Sequence, residues 1–152
     1  MMDTPLAERI RIVLAGVRNS GKSALFNRLC DHDISIVSSK PGTTGDPVTK
    51  GIEMGPLGPV ALVDTAGFDD DEDEVGNLRT EKTHGVLALA DAVVLVSRRD
   101  TPPSEEERRF AARMAPGKKP FLVVLTFGDR PADGEKLAWA APFTPLTVAN
   151  PS

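Results

Sequence analysis

The chain has 152 residues, of which 40% are hydrophobic and 26% charged, and its formal net charge is −4. That is the composition of a soluble globular protein with enough chain for one packed core. The acidic balance argues against a nucleic-acid-binding face as its main business, and a single cysteine excludes an internal disulfide or a multi-cysteine metal site within this chain.

Residues 1–8 read as a lead-in without an apolar signal region, and no apolar run approaches ~18 residues. The cytoplasm is therefore the expected location. Arg9 to Ala15 is an apolar, β-branched run, the pattern of a buried strand in a parallel sheet. It leads directly into Gly16-Val17-Arg18-Asn19-Ser20-Gly21-Lys22-Ser23. A helix follows from Gly21 to about Asp31, with Leu25 and Leu29, and Phe26 and Cys30, at i,i+4. Cys30 reads as a small core residue at that helix end. Strand, Gly-x-x-x-x-Gly-Lys-Ser and helix in that order are the context that validates a P-loop. Gly16 and Gly21 let the backbone wrap a phosphate, with the N–H groups of Asn19, Ser20, Gly21, Lys22, Ser23 and Ala24 available to it. Lys22 is expected to reach the β- and γ-phosphates and the Ser23 hydroxyl to ligate Mg2+.

Residues 32–47 read as a loop containing Pro41-Gly42-Thr43-Thr44-Gly45-Asp46. After a P-loop, this is where a mobile loop brings a threonine, here Thr44, to Mg2+ and the γ-phosphate. Val48 to Met54 and Val60 to Val63 read as two strands joined by the turn Gly55-Pro56-Leu57-Gly58-Pro59, a hairpin that gives the sheet one antiparallel edge strand. The second strand ends in Asp64-Thr65-Ala66-Gly67. An acid at the carboxyl end of a buried strand can support Mg2+, and Gly67 can offer an unobstructed N–H to the γ-phosphate. Phe68 is followed by six consecutive acids, Asp69 to Glu74, which read as a solvated loop. A phenyl ring at position 68 cannot orient water by hydrogen bonding, so hydrolysis is expected to use another group or to be slow.

Leu78 to Ala90 reads as a second helix, with Leu78, Val86, Leu87 and Leu89 as core candidates and His84, like His32, on the surface. Ala92 to Val96 is a buried strand, and Arg98 to Pro103 a loop. Ser104-Glu105-Glu106-Glu107 opens a helix as an N-cap with acids in the first turn; Phe110, Ala111 and Met114 continue its apolar face, and Pro116-Gly117 ends it. Phe121 to Thr126 is a strand, followed by Phe127-Gly128-Asp129. Residues 130–141 form a short helix with Trp139 as a packing anchor, and Phe143 to Ala149 is a last strand. The alternation predicts an α/β P-loop NTPase fold, a small G domain. Its sheet is mixed but mostly parallel, of about six strands, with helices on both faces and the ligand at the carboxyl ends of the strands.

In order and spacing, Gly16–Ser23, Pro41–Asp46, Asp64–Gly67 and the strand leading to Asp129 resemble the GTPase motifs of the TrmE/Era-like class. Ile34-Ser35-Ile36-Val37-Ser38, Asp46-Pro47-Val48, Gly58-Pro59-Val60 and Leu78-Arg79-Thr80-Glu81-Lys82 further resemble the G domain of HydF, the GTPase that assists assembly of the [FeFe]-hydrogenase active site. The resemblance implies GTP/GDP and Mg2+ as ligands. Lys22, Thr44 and Gly67 would act on the γ-phosphate, and Ser23, Thr44 and Asp64 at Mg2+. Asn19 matches the asparagine that holds K+ in TrmE-like proteins, where K+ takes the place of an arginine finger. Implied partners are hydrogenase maturation factors and a second copy meeting through the switch loops.

The guanine-reading motif of the class is Asn-Lys-x-Asp; here it is Thr126-Phe127-Gly128-Asp129. Asp129 can accept from the guanine N1 and N2 edge, and Phe127 can cover the base in place of the lysine stem. Thr126 is expected to be too short to reproduce the asparagine bonds, which weakens base selectivity. Val148-Ala149-Asn150 is a poor echo of the second base loop, Ser-Ala-Lys. The chain is also expected to be one G domain lacking its final helix and the dimerisation and iron–sulfur domains of HydF. The expected function is a GTP-binding switch with slow, Mg2+-dependent and K+-stimulated hydrolysis. The alternatives are a non-catalytic nucleotide-responsive module or truncated remnant, and an RNA-associated GTPase of the Era type.

Overall fold

The computed structural model describes residues 9–31, 48–65 and 85–149. Thr44, Gly67, Phe68, the acidic run, His32, His84 and Leu78 lie outside the described residues. Five apolar segments form long strands: β1 (Ile10–Ala15), β2 (Val48–Glu53), β3 (Pro59–Asp64), β4 (Ala92–Arg98) and β5 (Phe121–Thr126). A two-residue strand, β6 (Leu146–Thr147), completes one six-stranded sheet in the order β2-β3-β1-β4-β5-β6. β2 and β3 are an antiparallel hairpin and every other pairing is parallel. The helices are α1 (Lys22–Asp31), α2 (Glu105–Met114) and α3 (Gly134–Ala140), and residues 85–89 are also helical.

Side chains alternate across the strands, so each strand feeds two cores. On one face, Leu14, Ile52, Val60 and Leu62 pack against Phe26 and Cys30 of α1, and Val96 and Val124 against Leu25. On the other, Val13, Val63 and Val93 meet Leu87, while Leu95, Val123 and Leu125 meet Ala111 of α2 and Ala140 of α3. The expected α/β sheet with helices on both faces is thus present, with Cys30 in its core.

The sheet order has a consequence for ligands. β1 lies between β3 and β4, so the chain winds to one side of β1 and then returns to the other. Such a reversal opens a crevice at the carboxyl ends of the strands, and the glycine-rich turn after β1 sits there.

Three expectations need correction. Leu89, expected in the core, is 69% exposed, because only the side of the 85–89 helix that carries Leu87 faces the sheet. β4 continues through Ser97 to Arg98, which pairs with Thr126 of β5, so Arg98 ends a strand rather than opening a loop. The last strand is only Leu146–Thr147: Ala141–Phe143 forms a 3-10 turn with Pro142 inside it, and Thr144 adopts a left-handed backbone at φ 50°. Pro145, just before β6, has no N–H to give to a ladder, which confines pairing to the residues beyond it.

Candidate functional site

The turn after β1 has the backbone its sequence requires. A Cβ at Gly16 would lie 2.6 Å from the carbonyl oxygen of Val96 and 2.9 Å from Ser20 Oγ, so only glycine fits. Asn19 and Gly21 take positive φ, 62° and 89°. Glycine does so without strain, and asparagine more readily than most residues. Helix α1 then starts, with the N–H of Leu25 donating to the Gly21 carbonyl at 2.9 Å. Ser20 is 1% exposed, and its Oγ has no hydrogen-bond partner. Buried hydroxyls are rarely left so, and a phosphate oxygen is the kind of group that satisfies one. A turn that admits no Cβ at Gly16, two left-handed residues and an unpartnered buried hydroxyl fit a phosphate at this position.

Lys22 is 7% exposed, and its ammonium donates to Asp64 Oδ1 and to the carbonyl of Thr65. Ser23 Oγ lies 3.5 Å from Asp64 Oδ2. The parallel pairing of Leu14 with Asp64 sets this meeting, since it brings the end of β3 level with the end of β1. Thr65 is fastened there through its own hydroxyl, which donates to the Leu14 carbonyl at 2.9 Å. Among the described residues no group of three His, Cys, Asp or Glu could hold a metal ion. The hydroxyl of Ser23 and the carboxylate of Asp64 nevertheless fit Mg2+, which is usually bound by one or two protein oxygens together with substrate phosphates and water.

The second half of the site lies at the ends of β4 and β5. Thr126 is fully buried, and its Oγ1 donates to the Ser20 carbonyl at 2.5 Å, with the Ser97 carbonyl at 3.3 Å. Short as it is, Thr126 reaches the P-loop backbone, because parallel pairing places the end of β5 beside it. Phe127 turns left-handed at φ 57°, which redirects the chain so that Asp129 is exposed. The loop rests on residues 147–149. The N–H of Gly128 donates to the Val148 carbonyl at 2.9 Å and that of Asp129 to the Ala149 carbonyl at 3.3 Å. The weak Val148-Ala149 echo therefore does stand beside Asp129; Asn150 lies outside the described residues.

Sequence reasoning missed the residues that hold this loop. Arg98 donates from Nε and Nη2 to both carboxylate oxygens of Asp100, each at 2.9 Å, and Arg130 approaches the same carboxylate at 3.4 Å. Both guanidiniums also lie at the Phe127 ring, 4.1 Å and 5.1 Å from its centroid. Arg99 Nη1 reaches the carbonyls of Gly128 and Arg130, each at 3.4 Å. Behind them Lys136, fully buried, donates to Ser97 Oγ and, at 2.7 Å, to the Arg98 carbonyl, with Glu107 at 3.5 Å. The signal available in the sequence was Arg98-Arg99-Asp100, three charges directly after a buried run and hence at a strand end facing the crevice.

The family model described as 50S ribosome-binding GTPase matches residues 11–127. The tRNA modification GTPase MnmE of Nitrosomonas europaea is 39% identical over 132 residues, covering 87% of this chain and 29% of that protein. MnmE of Methylobacterium radiotolerans is 38% identical over 124 residues, covering 82% of this chain and 26% of its own length. The chain thus spans less than a third of these relatives. Among solved structures, Aquifex aeolicus Era bound to GDP·AlF4− superimposes with a TM-score of 0.70 at 21% identity, over 91% of this chain and 50% of that one. Era in complex with MgGDPNP and nucleotides 1506–1542 of 16S ribosomal RNA gives the same TM-score of 0.70. The P-loop, the Lys22–Asp64 meeting point and the match over residues 11–127 agree: this chain belongs to the 50S ribosome-binding GTPase family and is a P-loop GTPase of the TrmE/Era type.

Proposed function

We propose that this chain is a single G domain that binds GTP and Mg2+ at the end of β1, hydrolyses the γ-phosphate slowly and uses the change as a conformational switch. The observation that carries this is the cradle itself: a turn that admits no Cβ at Gly16, an unpartnered buried Ser20 hydroxyl, and Lys22 beside Ser23 and Asp64. The N–H groups from Asn19 to Ala24 would surround the phosphates. Lys22 would exchange Asp64 and the Thr65 carbonyl for β- and γ-phosphate oxygens, placing its charge where the leaving oxygen gains electrons. Ser23 and Asp64 would hold Mg2+, Asp64 through water, and Thr44 would join them. Mg2+, when bound, supplies positive charge to the phosphate oxygens. Gly67 would donate its N–H to the γ-phosphate. Water attacks the γ-phosphorus in line as the bond to the β–γ bridging oxygen breaks. Asn19, exposed at the mouth of the loop, is the residue that would hold K+. The base would lie against Phe127 and be read by Asp129.

The partner is read differently from the first resemblance. The relatives found are MnmE and Era, so nothing beyond the linking residues supports a HydF-like role in hydrogenase maturation. An RNA-associated switch of the Era type is favoured instead, since both MnmE relatives are named for tRNA modification and one Era structure contains ribosomal RNA. The setting proposed is the cytoplasm; among the described residues no helix is long and apolar enough to cross a membrane. Self-association through the switch loops remains part of the proposal.

The test is phosphate release with Mg-GTP and Mg-ATP, in KCl and in NaCl, beside Lys22→Ala. GTP-selective release that rises in KCl and falls about 100-fold or more in the variant supports the reading. Nucleotide retained without release would identify a non-catalytic binding module. Salt-dependent retention of RNA by the GTP-bound form would support the Era-type partner.

A further inference from the structure

The residues at the end of β4 and just beyond it have no part in the phosphate chemistry, yet they are heavily bonded. Arg98, Arg99 and Asp100 all reach toward the loop that follows β5. The backbone N–H of Arg99 donates to the Thr126 carbonyl at 3.0 Å, and the N–H of Asp133 donates to the Arg99 carbonyl at 2.9 Å. The Arg99 guanidinium touches two carbonyls of the same loop. Arg98 is bidentate on Asp100, whose carboxylate also faces Arg130, and both arginines lie at the Phe127 ring. Asp100 is only 13% exposed, so this ion pair is shielded from the screening that makes surface pairs weak. Lys136 ties the whole segment to α3 from behind.

Such an arrangement fixes two things that free loops leave loose. A guanidinium against an aromatic face resists rotation of the ring. A left-handed phenylalanine is costly, and persists only where its surroundings determine it. Here those surroundings are the two arginines at its ring and residues 148–149, which accept from the N–H groups of the two residues that follow it. Phe127 and Asp129 are therefore presented in one orientation before any ligand arrives.

We propose that Arg98, Asp100 and Arg130 form a brace that positions the Phe127 ring and the Asp129 carboxylate as a preformed wall for the nucleotide base, doing by ion pairing what the absent asparagine and lysine of the usual motif would do by direct contact. The proposal rests on the guanine-nucleotide reading above. Arg98, Asp100 and Arg130 are positioning residues: they act through Phe127 and Asp129, not on the phosphates. Asp100 suits this task at any working pH, since the Arg98 hydrogen bond holds its pKa down to about 2.

Equilibrium binding of GDP, ADP and inorganic pyrophosphate to the full chain separates the possibilities. Arg98→Met keeps the stem and removes the guanidinium; Asp100→Asn keeps the shape and removes the charge. Each should weaken GDP about tenfold. Pyrophosphate, which has no base to position, should change by less than about twofold. The preference for GDP over ADP should fall in parallel. Unchanged GDP affinity and unchanged preference in both variants would overturn the brace. So would an equal loss of GDP and pyrophosphate, the mark of general damage, with thermal melts identifying any variant that no longer folds. Failure of the wild-type chain to prefer GDP over ADP would instead overturn the guanine reading, and the brace with it.

Discussion

At the scale of the residue, Thr126 shows how a short side chain can hold two loops. Its hydroxyl reaches the Ser20 carbonyl in the P-loop, while its own carbonyl accepts from Arg99. The P-loop and the segment after β4 therefore meet at one buried residue. Thr126→Val keeps the volume and removes the donor. Two acceptors, on Ser20 and Ser97, then lose a partner in a fully buried place. The expected cost is about 1–2 kcal/mol of stability, read as a lower urea midpoint at unchanged slope. Affinity for GDP should fall with it, because the P-loop carbonyl is no longer held.

At the scale of the element, α2 and α3 are fastened to β4 by a buried ion pair rather than by apolar contact alone. Ser104 and Glu107 form the capping box that starts α2, with bonds of 3.1 Å and 2.9 Å. The same Glu107 accepts from Ser97 and faces Lys136 of α3. Lys136→Met leaves the Glu107 carboxyl group, 2% exposed, without its partner on α3. Removing one partner of a buried pair costs about 3–5 kcal/mol. Denaturant titration should show a loss of that size, and a second change at Glu107 to an apolar residue should return part of it. The pH dependence carries a further signature. Burial pushes the Lys136 pKa below the ordinary 10.5 despite Glu107 nearby. The unfolded chain then binds this proton more tightly than the folded one, so stability contributed by Lys136 rises with pH in the window just below 10.5. That rise should be absent from the methionine variant.

At the scale of the whole molecule, the reversal of winding about β1 brings four separated segments to the carboxyl ends of the strands: residues 16–24, 64–65, 97–100 and 126–130. A ligand that spans them ties both halves of the sheet together and binds only the folded chain. At a concentration of GDP near 100 times Kd, linkage adds about 2.7 kcal/mol. For a chain of this size that corresponds to a rise in thermal midpoint of roughly 5–10 °C. Thermal melts with GDP, ADP and no nucleotide should order the midpoints in that sense, GDP highest. Equal shifts for GDP and ADP would mean that the phosphate half of the crevice does all the binding.

The phosphate half was legible in the sequence because it is local. Eight consecutive residues, Gly16 to Ser23, carry both the backbone freedom and the side chains a phosphate needs, and the strand before them and helix after them are written in plain apolar periodicity. The same holds for β3, the β2–β3 hairpin and the capped start of α2. Turn chemistry and burial patterns there depend on near neighbours alone. The base half was only partly legible. Asp129 could be named from its motif, but the reach of Thr126 depends on β5 lying next to β4 and level with the P-loop. Arg98 and Asp100 were marked only as charges at a strand end, and their meeting with Arg130, 30 positions from Asp100, is written in no local pattern. Lys136 was invisible for the same reason, since a lysine on a short helix is ordinarily exposed. The sequence alone determined that this chain carries a P-loop between a buried strand and a helix, and where. Only the tertiary structure decided which distant charges hold the base loop in place, because that depends on strand order and register, which no single segment encodes.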